Sequence, residues 1–471
     1  MNTLSQFQSR RAFLQTASSG FGYLAFAALA HNAAAKGNAL AVKPTHFAPR
    51  AKRVIFLCMR GGPSHVDLFD YKPELIKRSG EAASLSRDAA GAKLLGPVHP
   101  FKRHGQAGLW IADVYPHLAK HADDLCVINS MHTDLPNHAQ AFGQMHTGSF
   151  QFVRPSLGAW TLYGLGTENA NLPGFITLNP PADNGGARNY GAAFLPAVCQ
   201  GTKLGASQLP DLYAALMKVD SEPGPPMRNI ANENLAKPLQ RAQLDLIRGL
   251  NEHKLAREPH QPEIEGAIES FELAFRMQDE VPNVLDLRSE PESVRKLYGI
   301  GNGQDQFARQ CLLARRLAEA GVRFIEITSS VHWDHHNLLK DSLAKSCAAT
   351  DQPIAALLTD LKQRGLLKDT LVIWAGEFGR TPYAQGYDGR DHNHKGYSIW
   401  MAGGGVRGGM TWGATDDIGY KAVENPVHIR DWHATILHVL GLDHTKLTFN
   451  YGGRNFRLTN VSGNVVKGIL T

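Results

Sequence analysis

The chain has 471 residues, 43% of them hydrophobic and 20% charged, with a formal net charge of +6. Those values belong to a globular protein with one large domain or two ordinary ones, and they exclude a fibrous or disordered chain. The positive charge is spread out, and there is neither zinc-finger spacing nor a basic helix interleaved with aromatics, so nucleic acid is not an expected partner.

The first residues predict an export signal. Ser9-Arg10-Arg11-Ala12-Phe13-Leu14 resembles a twin-arginine motif, an apolar segment runs from Phe21 to Ala30, and Ala33-Ala34-Ala35 offers a small-residue cleavage site. Residues 1–35 are therefore read as a signal addressed to the twin-arginine translocation machinery. The mature protein is then periplasmic or extracellular, and no later apolar stretch is long enough to span a bilayer. Five cysteines, Cys58, Cys126, Cys199, Cys311 and Cys347, lack CxxC spacing. Cys58, Cys126 and Cys311 sit in apolar segments as small core residues, so no disulfide framework is expected.

Short apolar runs predict buried strands at Arg53–Met59, ending on Gly61-Gly62-Pro63, and at Leu125–Asn129. A helix is expected near Ala139–Thr147, stopped by Gly148. Residues 152–298 read as an irregular inserted cap, with a charged helical stretch from Asn232 to Gln278. The remainder is regular: helix Gln306–Ala320, strand Val322–Ile327, helix Ser342–Arg364, strand Thr370–Ala375, a strand in "YSIWMAGGG" and a helix Ala434–Leu440 for which Asp431 is a candidate N-cap. Strands alternating with helices predict an α/β domain over 36–471, with a mostly parallel sheet covered on both faces.

Chemistry-bearing residues concentrate just beyond these strands. The clusters are Ser64-His65-Val66-Asp67, Thr133-Asp134-Leu135-Pro136-Asn137-His138, His332-Trp333-Asp334-His335-His336, and Glu377 and Arg380 with Asp391-His392-Asn393-His394. Singly, each has an ordinary reading as turn chemistry, a helix cap or a solvated loop. Together they place carboxylates and imidazoles at one sheet edge, where open α/β folds bind ligands and where a divalent ion needs ligands from several segments.

The order of "GGPSHVDLFDYKPEL", "NHAQAFGQMHTGS", "LARRLAEAGVRFIEI", "WDHHNL", "GEFGRTP", "GRDHN" and "DWHATILHVLGLDH" resembles the DUF1501 family, whose members are placed by fold in the alkaline phosphatase/sulfatase superfamily. The resemblance implies a three-layer α/β/α sandwich and a metal-dependent hydrolase of phosphate or related esters, small or polymeric. The implied cofactor is a divalent metal, zinc first, with manganese, magnesium and calcium as alternatives. The metal ligands it implies are Asp67, Asp334, His336, Glu377, His392 and His394. At the superfamily's nucleophile position this chain has Asp134; Thr133, one residue earlier, is the first candidate nucleophile, with Ser64 or water as alternatives, and Asn137 and Arg380 are candidates to stabilise an oxyanion. His65, Asp134, His138, His335 and Asp391 complete the candidate set. Two departures stand out. Met59-Arg60-Gly61 replaces the aspartate that ends the superfamily's first strand, and Glu377-Phe378 replaces an Asp-His pair, so one of two ions is expected to be lost or held by the extra histidines. Formylglycine chemistry is not expected, because the Cys/Ser-x-Pro/Ala-x-Arg sequence is absent. A catalytically degenerate secreted binding protein on the same fold is the alternative.

Overall fold

The computed structural model describes residues 40–471 except 84, 86–88, 206–229, 231–233, 258–261 and 302–304. The twin-arginine reading of residues 1–35 and the predicted helix start at Asn232 lie outside the described residues. In chain order, the main sheet draws on β1 (Arg53–Cys58), β2 (Leu125–His132), β3 (Phe175–Leu178), β4 (Thr202–Leu204), β5 (Phe324–Thr328) and β6 (Thr370–Ala375). A hairpin of β7 (Gly379–Gln385) and β8 (Gly389–Asn393) follows, then β9 (Tyr397–Ala402), β10 (Met410–Trp412) and β11 (Val427–His428). The principal helices are α1 (His138–Thr147), α2 (Leu157–Leu165), α3 (Lys237–Arg257), α4 (Pro262–Leu285), α5 (Gln306–Glu319), α6 (Leu339–Gln363) and α7 (Ile429–Val439).

Nine strands form one sheet in the order β10-β2-β9-β6-β1-β5-β3-β4, with β11 also paired to β2. Every pairing is parallel except those of β9, which runs antiparallel to both β2 and β6. The apolar run of β1 is continuous because both faces of this strand are covered. Ile55 and Leu57 join the core beneath α5 and α6, whereas Val54, Phe56 and Cys58 join the core beneath α1, α2 and α7. The protein is thus the three-layer α/β/α sandwich expected. Each large apolar side chain buried in those layers contributes about 1.5–3 kcal/mol.

Four elements differ from the sequence reading. The segment read as an irregular cap supplies β3 and β4 to the sheet edge, and its helical stretch is two helices, α3 and α4. The polar stretch after Glu377, where no strand is predicted, forms the β7–β8 hairpin, whose buried arginines pair outside it, Arg380 with Gly62 O and Arg390 with Asp67. Helix α7 begins earlier than predicted, with His428 as its N-cap. Its Nδ1 accepts from Arg430 N at 3.1 Å, and Asp431 closes the capping box by accepting from His428 N at 3.0 Å. The five cysteines are all free and buried.

The register positions the site. Cys58 at the end of β1 is level with Thr328 of β5 and Ala375 of β6, so the three chains leave the sheet at one height. Met59 N then donates to Ala375 O and Ser329 N to Cys58 O, both at 2.9 Å, and Trp333 N donates to Arg60 O at 3.0 Å. Gly61 makes this convergence possible. Its φ is +113°, and a Cβ there would stand 2.7 Å from the backbone nitrogens of Trp333 and Asp334.

Candidate metal centre

Four side chains from three of the predicted clusters meet above that edge. His138 opens α1, Asp334 and His336 sit in the loop between β5 and α6, and His392 comes from β8. One ligand atom from each lies within 4.8 Å of all the others. His336 Nε2 is 2.8 Å and His392 Nε2 is 3.2 Å from Asp334 Oδ1, and the two Nε2 atoms are 3.0 Å apart. His138 Nε2 is 3.2 Å from Asp334 Oδ2 but outside hydrogen-bond geometry, which leaves this buried nitrogen without a hydrogen-bond partner. A tetrahedral ion with bonds of ~2.1 Å separates its ligand atoms by ~3.4 Å, so these spacings suit one small divalent cation.

The opposite nitrogen of each ring explains why the imidazoles face inward. His138 Nδ1 is 2.6 Å from Glu377 Oε1, His392 Nδ1 is 2.8 Å from Pro136 O, and His336 Nδ1 meets Gln385 Oε1. Each of these partners is a pure acceptor on the atom concerned, so each Nδ1 carries the proton. In the neutral ring, the Nε2 lone pair is then turned to the centre. Phe378 adds the steric restraint, its ring lying 4.8 Å from that of His138 and 4.7 Å from that of His392. Phe378 is thus an apolar wall against both imidazoles.

Charge follows from the same geometry. Burial works to lower the pKa of His138, but the carboxylates of Asp334 and Glu377 outweigh it and hold the imidazole up to about 9. Burial tends to raise the pKa of Asp334. The nearby His138 and His392 imidazoles and the Arg380 guanidinium overcome it and keep that carboxyl far below the usual range. With neutral imidazoles, two carboxylates against one guanidinium leave one net negative charge. A divalent ion would turn this into one net positive charge.

Several expected site residues take other places. Glu377, expected as a direct ligand, is fully buried behind His138 and also accepts from Gly61 N at 3.1 Å, so its carboxylate acts through the imidazole. Asp67 is spent on a buried ion pair: Arg390 Nε lies at 2.7 Å, with Ser64 Oγ at 2.5 Å and Val98 N at 2.9 Å. That leaves Ser64 committed as a donor to Asp67 rather than available as a nucleophile. Arg380 is 1% exposed and donates to Asp334 and to the carbonyls of Gly61, Gly62 and Arg390. It supports the Asp334 loop from below and has no free face for an oxyanion.

Thr133 Oγ1 is buried and donates to Gln144 Oε1 at 2.8 Å. Asn137 is the N-cap of α1, accepting from Gln140 N at 3.3 Å. Asp134 is tied to Gln144, His428 and Arg430. His65 is buried with Nε2 2.7 Å from Gly419 O, and burial lowers its pKa. His335 packs against Ser346, its Nε2 3.4 Å from that hydroxyl, and burial pulls its pKa down to about 4. His394 stands outside the cluster and gives its carbonyl to Thr133 N at 2.9 Å, while Asp391 accepts from His392 N at 2.8 Å. The sequence reading did not single out Gln144, Gln385 or Arg390 as supports.

Fold and site together define an α/β protein with a mostly parallel sheet and a cluster of metal-ligand type at its carboxyl edge. The chain belongs to the DUF1501 family, described as a protein family of unknown function, whose profile matches residues 51–470. No curated protein matches it in sequence. Among solved structures it is similar to the lipoteichoic acid synthase LtaP from Listeria monocytogenes, at 11% identity over 90% of this chain and 78% of that one, TM-score 0.37. It is also similar to the alkaline phosphatase from the Antarctic bacterium TAB5, at 12% identity over 83% and 98% of the two chains, TM-score 0.31. A third is the PsFucS1 sulfatase from Pseudoalteromonas sp., at 13% identity over 83% and 68%, TM-score 0.33.

Proposed function

We propose that this protein is an exported metal-dependent hydrolase of phosphoric or sulfuric esters, with its divalent ion, zinc first, held by His138, Asp334, His336 and His392. The observation that carries the reading is the convergence of three imidazole Nε2 atoms on one carboxylate, each ring anchored through Nδ1. When bound, the metal supplies positive charge that polarises an ester oxygen and acidifies water. The chain's own residues orient the site. Glu377 fixes the tautomer of His138, Arg380 pins Asp334, and Phe378 shields the rings from bulk solvent.

The attacking group in this reading is water. An amide oxygen cannot take a hydroxyl proton, so Gln144 holds Thr133 without activating it. The fully engaged Ser64 and Thr133 also favour the second reading, a binding protein that keeps the fold and the metal without turnover. Purified protein loaded with zinc, manganese, magnesium or calcium and assayed on aryl phosphate, phosphodiester and aryl sulfate separates the two. Turnover that disappears in Asp334→Asn and survives within about tenfold in Thr133→Ala supports the hydrolase with water as nucleophile. Metal retention with no turnover on any ester would leave the binding protein.

A further inference from the structure

The far end of α1 closes a second polar cavity, of about 150 Å³. Helix α1 has ten residues, so at 1.5 Å per residue its C-terminal Thr147 and the following Gly148 stand ~15 Å from His138 and the metal cluster. Four arginines line this cavity, Arg154, Arg430, Arg454 and Arg457, together with the rings of Phe194 and Phe456, and among the described residues no carboxylate lines it. Among the described residues, only Arg430 of the four has an acidic partner, Asp134 Oδ2 at 3.1 Å. Arg454 reaches the neutral side chain of Asn460 at 3.2 Å, and Arg457 the backbone oxygen of the same residue. Arg154 has ring contacts alone, its guanidinium lying 4.3 Å from the centre of Phe456, which also carries Arg454 on it at 4.9 Å.

Guanidiniums repel one another, and a protein surface ordinarily separates them or interleaves carboxylates. Here burial, and after it the charge of Arg454, pulls the pKa of Arg154 below the usual guanidinium value. Planar forks stacked on aromatic faces keep their edge N–H groups free, and such forks match tetrahedral oxyanions better than any other side chain does.

We infer that this cavity is an oxyanion subsite that receives a second phosphate or sulfate group, carried by the substrate about one α1 length from the ester being cleaved. The assignment to substrate rests on the hydrolase reading, whereas the anion site itself does not. It makes the substrate a polyanionic ester, a repeating or bis-substituted molecule rather than a simple monoester. The β2–α1 segment couples the two sites, because Asp134, just ahead of His138, is the carboxylate that Arg430 holds.

The test is calorimetric titration of metal-depleted protein with inorganic phosphate and, separately, inorganic sulfate, at constant ionic strength in chloride. Binding is expected in wild type and in Asp334→Asn. It is expected to weaken ~10-fold or more in Arg154→Gln and in Arg454→Gln, since each removes charged hydrogen bonds, and less in Arg154→Lys, which keeps the charge. Thermal melts of each variant identify any that fails to fold. Stronger binding of one anion identifies the ester class. Binding that is absent in wild type, unchanged in Arg154→Gln and Arg454→Gln, or lost in Asp334→Asn would overturn the subsite. Failure of the hydrolase reading alone would show differently, as absent turnover with arginine-dependent anion binding intact.

Discussion

Metal uptake by this protein should depend steeply on pH, and the dependence can be worked out from His138. Its imidazole is held up to about 9 in the metal-free protein because Asp334 and Glu377 flank it. A cation must displace that proton before Nε2 can bind. At pH 7 about one molecule in a hundred has the neutral ring, so competition by the proton costs about 2.7 kcal/mol, two pH units at 1.36 kcal/mol each. Apparent affinity should therefore rise about tenfold per unit between pH 7 and pH 8.5 and level off above about 9. Competition with a chromophoric chelator calibrated at each pH measures this directly. Calorimetry in buffers of different ionisation enthalpy should show about one proton released per ion at pH 7. A zinc affinity that does not change between pH 7 and pH 8.5 would refute the assignment of His138 as a ligand. The sign reverses for folding of the metal-free protein. A raised pKa stabilises the fold fully below the unfolded value of about 6.5, and this contribution is lost as pH rises through about 9.

Other substitutions test the supporting residues. Glu377→Gln removes the carboxylate behind His138, and metal affinity should drop about 10–100-fold while the pH dependence moves to lower pH. An unaltered pH profile measured with the same chelator would contradict this. Asp67→Asn leaves the fully buried Arg390 without its partner, so urea unfolding should show a loss of about 3–5 kcal/mol, with zinc stoichiometry of the surviving folded protein unchanged. Loss of the metal at undiminished stability would instead restore Asp67 to the ligand set. Gly61→Ala places a Cβ against the backbone of Trp333 and Asp334 at φ +113°, and should lower both melting temperature and metal affinity. A variant as stable and as tightly metallated as wild type would show that the loop has room to move.

The sheet was legible where burial leaves a periodic signature. Arg53–Cys58 and Thr370–Ala375 are continuous apolar runs because parallel strands are covered on both faces, and α5 and α6 show helical spacing. Phe175–Leu178 and Thr202–Leu204 went unread because four and three residues at a sheet edge are too short to show a period. The β7–β8 hairpin was obscured for a different reason. Its buried positions include the polar Arg380, Thr381, Arg390 and Asn393, and the two arginines are stabilised by partners far away in the chain. Arg390 and Asp67 are 323 positions apart, so nothing local distinguishes Asp67 as an ion-pair partner from Asp67 as a metal ligand. The site showed the same division. Clusters at strand ends marked the edge, and Asp334, His336 and His392 lay within them. Which carboxylate faces the ion and which stands behind a histidine depends on side-chain direction in three loops. The order of Glu377 and His138 could be read only from the fold.

The central claim is that His138, Asp334, His336 and His392 bind one divalent cation. It is tested most directly by loading metal-depleted protein with zinc, removing the excess by gel filtration, and measuring zinc per chain in wild type, Asp334→Asn and His392→Ala. One ion per wild-type chain and a substoichiometric amount in both variants is the predicted result. A wild type that leaves the column without zinc, or variants that retain as much as wild type, would contradict the account.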